Sequence, residues 1–298
     1  MKGKVGVSLI EYTLDGKQDK VKIAIERIKA FDPLTNGHMD APYYVAYSGG
    51  KDSDVIRILF GLANVRHDLV HNHTTVDAPE TVRYIRSIPS MQISYPDISM
   101  WELIVKKKIP PTRLMRYCCE HLKERGGAGR FVVTGVRWKE STARAKRRGS
   151  VEAMNNGRDN NRIILNADNN QHRKLIESCT SKSKFMLNPI VDWTDDDVWE
   201  FLHAHGCNSN PLYACGFKRV GCIGCPMAGS NGMIKAFELY PKYKANYIRA
   251  FEKMLKERNI REMPSNNWNT GEDVYNWWIA SDKKSKCDSR QMSILMIY

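Results

Sequence analysis

Short apolar runs alternate with amphipathic stretches along most of this chain. Residues 19–31, DKVKIAIERIKAF, place Val21, Ile23, Ile25, Ile28 and Phe31 at near-helical spacing and predict an amphipathic helix. Residues 31–42, rich in Pro, Gly and Asn, read as a loop. The aromatic-rich run YYVAYS (43–48) has the profile of a buried strand, and SDVIRILFGLA (53–63) that of a helix. The alternation continues through DLVHNHTTV (68–76, strand), PETVRYIRSI (79–88, helix), MQISYP (91–96, strand) and SMWELIVKKK (99–108, helix). A helix through 116–125 and the strand RFVVTGV (130–136) follow. Such alternation predicts an α/β fold, a parallel sheet with helices on both faces.

Residues 137–174 break the pattern. They hold ten Lys or Arg against four acids, with repeated Asn pairs, and read as a long basic loop or insert. Beyond it, FMLNPIVDW (185–193) reads as strand and loop. Thr194 caps a helix whose first turn holds Asp195, Asp196 and Asp197, where the helix dipole favours acids. A cysteine-rich loop spans 207–226. The remainder is mostly helical, with one long helix over about 232–258 and a Trp-rich one, TGEDVYNWWIAS, whose Trp277 and Trp278 read as core. The expected organisation is an N-terminal extension over 1–40, a main domain over 41–230 and a helical C-terminal extension over 231–298.

Composition narrows the function. The chain has 298 residues, 46 Lys plus Arg against 33 Asp plus Glu, and a net charge of +13. The excess implies an anionic partner, whether nucleotide, polynucleotide or membrane surface. No apolar run is long enough to span a bilayer, and the first residues lack the apolar core of a signal peptide. A cytoplasmic protein is expected. Eight cysteines in a reducing compartment point to metal or redox chemistry rather than a disulfide framework.

Tyr47-Ser48-Gly49-Gly50-Lys51-Asp52-Ser53 falls between a buried strand and its helix. Ligands of open parallel sheets bind at the carboxyl ends of strands. Two glycines allow close backbone approach to an anion, the helix N-terminus offers unpaired N–H groups, and Lys51 adds a full charge. The spacing is too short for the GxxxxGK[ST] loop of nucleoside triphosphatases, and the bland alternative is an ordinary Gly-rich β–α turn.

SGGKDS resembles the PP-loop of the adenine nucleotide α-hydrolase-like superfamily, and the likeness extends to its phosphoadenosine phosphosulfate (PAPS) reductase family. Asp77-Ala78-Pro79-Glu80-Thr81 resembles the family's acidic segment, and Tyr117-Cys118-Cys119-Glu120-His121-Leu122-Lys123 its paired cysteines with a nearby lysine. Thr134-Gly135-Val136-Arg137 through Ser141 and Arg144 resembles its arginine segment. Asn188 through Trp199, Asn210-Pro211-Leu212-Tyr213 and Gly221-Cys222-Ile223-Gly224-Cys225-Pro226 complete the order.

The resemblance implies an enzyme binding ATP, PAPS or a related adenylyl nucleotide through Ser48, Gly49, Gly50, Lys51, Asp52 and Ser53. It implies cleavage at the α-phosphate, with pyrophosphate or AMP as leaving group. Asp52 and Asp77 are the candidates for holding Mg²⁺, and Arg137 and Arg144 for neutralising charge on phosphate or sulfate oxygens.

On ligand count, four thiolates suit zinc or an iron–sulfur cluster equally, and buried structural cysteines are the third alternative. The resemblance implies a [4Fe–4S] cluster on Cys118, Cys119, Cys222 and Cys225. The run from Cys215 to Cys225 also resembles sulfurtransferases of DNA phosphorothioation in the same superfamily, which makes Cys215 an alternative ligand or sulfur carrier, with Cys207 behind it. Cys179 and Cys287 read as structural or exposed thiols.

Assimilatory PAPS and adenosine phosphosulfate (APS) reductases end in a Glu-Cys-Gly-Leu-His tail, whereas this sequence runs Lys286-Cys287-Asp288-Ser289. The expectation is therefore ATP-dependent sulfur transfer, with nucleic acid as a partner of the basic insert and a separate protein as electron or sulfur donor. Sulfonucleotide reduction to sulfite and a non-catalytic nucleotide-binding module are the alternatives.

Overall fold

A computed structural model describes residues 8–13, 16–33, 41–140, 148–154, 163–165, 184–261, 263 and 268–280. Arg144, Lys146, Arg147, Arg158, Arg162, Arg173, Lys174, Cys179 and Cys287 lie outside the described residues. In chain order the first half runs β1 (Ile10–Thr13), β2 (Gly16–Asp19), α1 (Lys20–Ala30), β3 (Tyr43–Ala46), α2 (Lys51–Ala63), β4 (His67–Asn72), α3 (Pro79–Arg86), β5 (Met91–Ser94), α4 (Met100–Lys107) and β6 (Phe131–Val133). The second half runs β7 (Val151–Met154), β8 (Ile163–Leu165), β9 (Lys184–Leu187), α5 (Asp195–Ala204), α6 (Gly229–Leu239), α7 (Pro241–Ile260) and α8 (Gly271–Ala280). Two compact units result: Met1–Asn72, Pro79–Ser94 and Gly126–Val220 form the first, and His73–Ala78, Tyr95–Arg125 and Gly221–Tyr298 the second.

The first unit is built on a sheet of order β5-β4-β3-β6-β9-β7-β8. Its first five strands are parallel, as the strand–helix alternation predicts. β3 is buried on both faces. Tyr43 and Val45 join the larger core with Phe60, Phe131, Leu187 and Trp193, while Tyr44 packs with Val70 and Val132. This two-sided burial is why the strand reads as a continuous apolar run.

The basic insert is not all loop. Its β7 pairs antiparallel with both β9 and β8, with Val151 opposite Leu187. Glu152 is fully buried and explains the placement. Its carboxylate accepts from Asn188 Nδ2 at 3.0 Å and pairs with Arg148 at 3.1 Å.

In the second unit, the single helix expected over 232–258 is two. Pro241 opens α7 because a proline lacks the N–H an uninterrupted helix would need there, whereas the first turn tolerates it. Phe237, Tyr247, Phe251 and Trp278 pack ring against ring, and Trp278 Nε1 donates to the Pro111 carbonyl at 2.6 Å. Trp278 is core as expected, whereas Trp277 is half-buried against Trp268. The helix expected over 116–125 is largely a π-helical turn, Cys119–Lys123, closed by Glu124 N donating to the Cys119 carbonyl at 2.7 Å. Such turns recur at functional sites. Among the described residues, no helix is long and apolar enough to cross a membrane.

Candidate functional site

The β3–α2 loop is shaped by its glycines. Gly49 has φ +76°, and a Cβ there would meet Thr81 Cγ2 at 2.9 Å and Ile85 Cδ1 at 3.0 Å. The left-handed backbone and the close approach of α3 together demand glycine. Gly50 caps α2 and has no side chain to bond the first helical N–H groups. Ser53 substitutes: its Oγ accepts from Gly50 N at 3.1 Å and donates to the Gly50 carbonyl at 2.7 Å. Lys51 N donates to Tyr213 Oη at 3.0 Å, and Asn210 Nδ2 donates to the Gly49 carbonyl at 2.9 Å. The segment 210–213 thus holds the loop from outside. Burial pushes the Tyr213 hydroxyl up to about 12, so it stays protonated as a hydrogen-bonding group at neutral pH.

Beneath the loop lies a buried carboxylate. Asp54 is fully buried and accepts hydrogen bonds from Tyr47, from Tyr84 at 2.9 Å and from Ser209 at 2.7 Å. It joins the end of β3, α2, α3 and the loop after α5. Burial raises both tyrosines well above the ordinary phenol, leaving them donors to Asp54.

Four charged groups converge at the start of α2. Lys51 Nζ donates to Asp195 Oδ1 at 2.9 Å and lies 3.5 Å from Asp52 Oδ1. Arg137, only 2% exposed, donates through Nε to Asp52 Oδ1 at 2.7 Å and through Nη2 to Asp195 Oδ1. Lys51 first, and Arg137 with it, hold the Asp195 carboxyl below its usual range. Two cations and two carboxylates are thus held together over a glycine loop at the carboxyl edge of a parallel sheet, where ligands of such sheets bind. Of the predicted groups, the fold brings Ser48, Gly49, Gly50, Lys51, Asp52, Ser53 and Arg137 together in the first unit.

Neither Asp195 nor Tyr213 carries a functional role in the sequence alone. Asp195 read as a dipole acid and Tyr213 as part of a motif without a role. The available signal is that both lie inside segments, 188–199 and 210–213, that resemble the loop's family.

Asp77 belongs to the second unit, where it accepts from Thr74 N at 2.7 Å and Thr74 Oγ1 at 2.8 Å, with His73 Nδ1 at 3.0 Å. Its Oδ1 lies 4.0 Å from Cys222 Sγ, and Thr74 Oγ1 lies 3.4 Å from the same sulfur. Cys118, Cys119, Cys222 and Cys225 all line one small cavity of about 30 Å³, with Lys123 and Tyr247. Gly224, φ +72°, turns the Cys222–Cys225 segment, and a Cβ there would strike Phe237 at 2.7 Å.

A hydrogen bond from the Cys118 thiol, with Arg116, whose Nη2 is 3.5 Å from the sulfur, holds the Cys119 thiol below its usual range. Cys118 is correspondingly raised, and burial pushes Cys222 up to about 12. A tetrahedral zinc with bonds of ~2.3 Å draws its thiolates to about 3.8 Å apart. An iron–sulfur cluster likewise takes four thiolates, so on ligand chemistry the donor set suits either. Cys215 is exposed in the first unit, and Cys207 is half-buried, 3.9 Å from Arg57 Nη2.

Fold and loop define an α/β protein with a glycine-rich β–α turn at the carboxyl edge of its parallel strands. The phosphoadenosine phosphosulfate reductase domain family matches residues 42–228, and the chain belongs to that family. Over 208 residues it is 26% identical to an uncharacterized protein of Methanocaldococcus jannaschii, covering 66% of this chain and 44% of that protein. Over 41 residues it is 46% identical to the adenosine 5'-phosphosulfate reductase of Burkholderia cepacia, covering 14% of this chain and 16% of that one. The crystal structure of phosphoadenylyl-sulfate reductase from Candida auris, a phosphate complex, aligns at TM-score 0.40 and 16% identity over 74% of this chain and 98% of that one. The chain spans less than half the length of the curated relatives it matches over the longest stretches.

Proposed function

We propose that the chain is an adenylyl-nucleotide-dependent enzyme of sulfur transfer, with ATP as the nucleotide cleaved at its α-phosphate. The observation that carries this reading is the pairing of Lys51 with buried Arg137 over the Gly49–Gly50 turn. In it, two fixed positive groups stand at the N-terminal turn of α2, whose Gly50 and Lys51 N–H groups donate to the hydroxyls of Ser53 and Tyr213. The backbone of Gly49 and Gly50 approaches the phosphates, Lys51 and Arg137 neutralise charge that builds on their oxygens, and Ser53 keeps the turn closed. Of the two candidates Asp52 and Asp77, Asp52 lies in the first unit, oriented by Arg137 at 2.7 Å, and is the one placed to hold Mg²⁺. Asp77, engaged by Thr74 and His73, instead serves the cysteine cavity.

In this reading Cys118, Cys119, Cys222 and Cys225 hold a [4Fe–4S] cluster. The cluster supplies electrostatic tuning or an electron path for sulfur chemistry. Arg116 and Lys123 favour the thiolate form the metal requires at Cys119. The basic insert, largely outside the described residues, is proposed as a contact for a polynucleotide acceptor on its charge alone.

Reduction of a sulfonucleotide is the second reading, favoured by the local identity with adenosine 5'-phosphosulfate reductases. Protein purified without air and incubated with ATP and Mg²⁺, or with PAPS, separates the two. Pyrophosphate or AMP from ATP supports the first, and sulfite from PAPS supports the second. Binding without turnover of either leaves a nucleotide-binding module.

A further inference from the structure

The twenty-residue helix α7 carries two kinds of cation. Lys244 pairs with Glu272 at 4.0 Å and lies over the Tyr275 ring. Arg258 is buried, donates to the Lys108 carbonyl at 2.8 Å and lies over the Trp268 ring. Arg261, just past the helix, pairs with Glu257 at 2.7 Å. These three serve the packing of the second unit.

Lys242, Arg249, Lys253 and Lys256 do not. All four are exposed, and among the described residues none forms an ion pair. Arg249 donates only to Asn246, one turn back. At 3.6 residues per turn the four fall within an arc of roughly 60° along one face, over a length of about 21 Å. Ala245 and Ile260 share that face, and no acid does. Glu252 and Glu257 lie to either side, the first accepting from Gly271 N at 2.6 Å and the second taken by Arg261. Glu102 of α4 acts on Lys253 across the helix pair, but its carboxylate is held by Ser99 N at 2.9 Å and Ser99 Oγ at 2.6 Å.

A row of like charges destabilises an isolated helix, because neighbours at i,i+3 and i,i+4 repel. α7 tolerates the row because its opposite face, with Tyr247, Phe251, Met254 and Leu255, is buried. The same burial decides the partner. An interfacial membrane helix needs a free apolar face beside its charges, and here that face is inside the protein. A rigid, linear row of unpaired cations is complementary to a phosphodiester backbone, which presents a phosphate about every 3.4 Å along one strand.

We infer that the exposed face of α7 is a polynucleotide-docking surface, with Lys242, Arg249, Lys253 and Lys256 each contacting a phosphate along about 21 Å of the backbone. The inference stands on the second unit alone and does not depend on the nucleotide reading of the first. Contacts of this kind position a strand without reading its sequence.

The test is fluorescence anisotropy of the full chain, purified without air, on a labelled 20-mer duplex and the corresponding single strand, titrated with salt. The test variant carries Gln at all four positions. A control variant carries Gln at Lys17, Lys22, Lys29 and Arg66, which are exposed elsewhere and remove the same net charge. Gln keeps the helix, and unchanged circular dichroism verifies folding. The log–log salt slope of the wild type should fall in the α7 variant by about 3.6 on duplex, or about 2.8 on single strand, at ~0.9 or ~0.7 per phosphate. Whichever substrate shows its expected loss identifies the form that docks. The control variant should keep the wild-type slope to within about one. Equal losses in the two variants, or no loss in the α7 variant, would overturn the surface as a docking site. So would binding to vesicles rich in phosphatidylserine without binding to either nucleic acid.

Discussion

Asp195 Oδ1 accepts from both Lys51 and Arg137, two residues brought together from α2 and the segment after β6. One carboxylate oxygen stands where the two cations converge, the position a non-bridging phosphate oxygen would take on binding. Asp195 is therefore expected to compete with the nucleotide. Its side chain is 69% exposed, so the repulsion it exerts on an incoming phosphate is close to that in water, about 1 kcal/mol at 4 Å. Asp195→Asn should tighten ATP binding about fivefold, by titration calorimetry at low salt. Weaker binding would instead make Asp195 the group that positions Lys51 and Arg137.

The same contact carries a pH dependence of known sign. The Asp195 carboxyl is lowered in the folded protein, chiefly by Lys51, so the unfolded chain binds its proton at higher pH. Its contribution is complete above the ordinary carboxylate range and disappears as pH falls through the lowered folded value. Wild type should lose slightly more stability than Asp195→Asn between pH ~4 and pH ~2, by urea denaturation. Equal losses would show that the contact adds nothing to stability.

Asp54 is expected to matter more to the fold than any charge at the surface of the site. Asp54→Ala leaves the hydroxyls of Tyr47, Tyr84 and Ser209 without their buried acceptor, at a cost of about 3 kcal/mol or more. Asp54→Asn keeps an acceptor and should recover much of that. A urea midpoint for Asp54→Ala within error of wild type would contradict the role given to this carboxylate.

Protein prepared without air should be brown, with broad visible absorption. Cys222→Ser and Cys225→Ser should lose that absorption together with their iron, because each removes one of four thiolates around a single cavity. One equivalent of zinc and no iron in the wild type would remove the cluster.

Much of the first unit was legible because local and tertiary preferences agree there. A strand buried on both faces must be apolar throughout, and Tyr43 to Ala46 is. A turn with φ +76° packed against α3 must be glycine, and Gly49 is. β7 and β8 were hidden because three or four apolar residues amid Arg, Asn and Gly carry too little pattern. Buried Glu152, which anchors β7, reads as a surface charge until Asn188 is placed beside it. Pro241, a helix-start residue, sits within the 232–258 stretch whose apolar periodicity continues on either side and reads as one helix. The π-helical turn at Cys119 has no periodic signature. The pairing of Asp195 with Arg137 spans 58 residues, so no local spacing exposes it.

The β3–α2 loop is proposed to bind an adenylyl nucleotide through Lys51. Calorimetric titration of a non-hydrolysable ATP analogue into wild type and Lys51→Ala tests it most directly. Lys51 pairs with the exposed Asp195 rather than with the core, so the variant should keep its fold and melting temperature. Binding by wild type with at least a tenfold loss in folded Lys51→Ala, about 1.4 kcal/mol, is the result expected. Equal affinity in the two proteins, or no binding by folded wild type to this analogue or to PAPS, would contradict it.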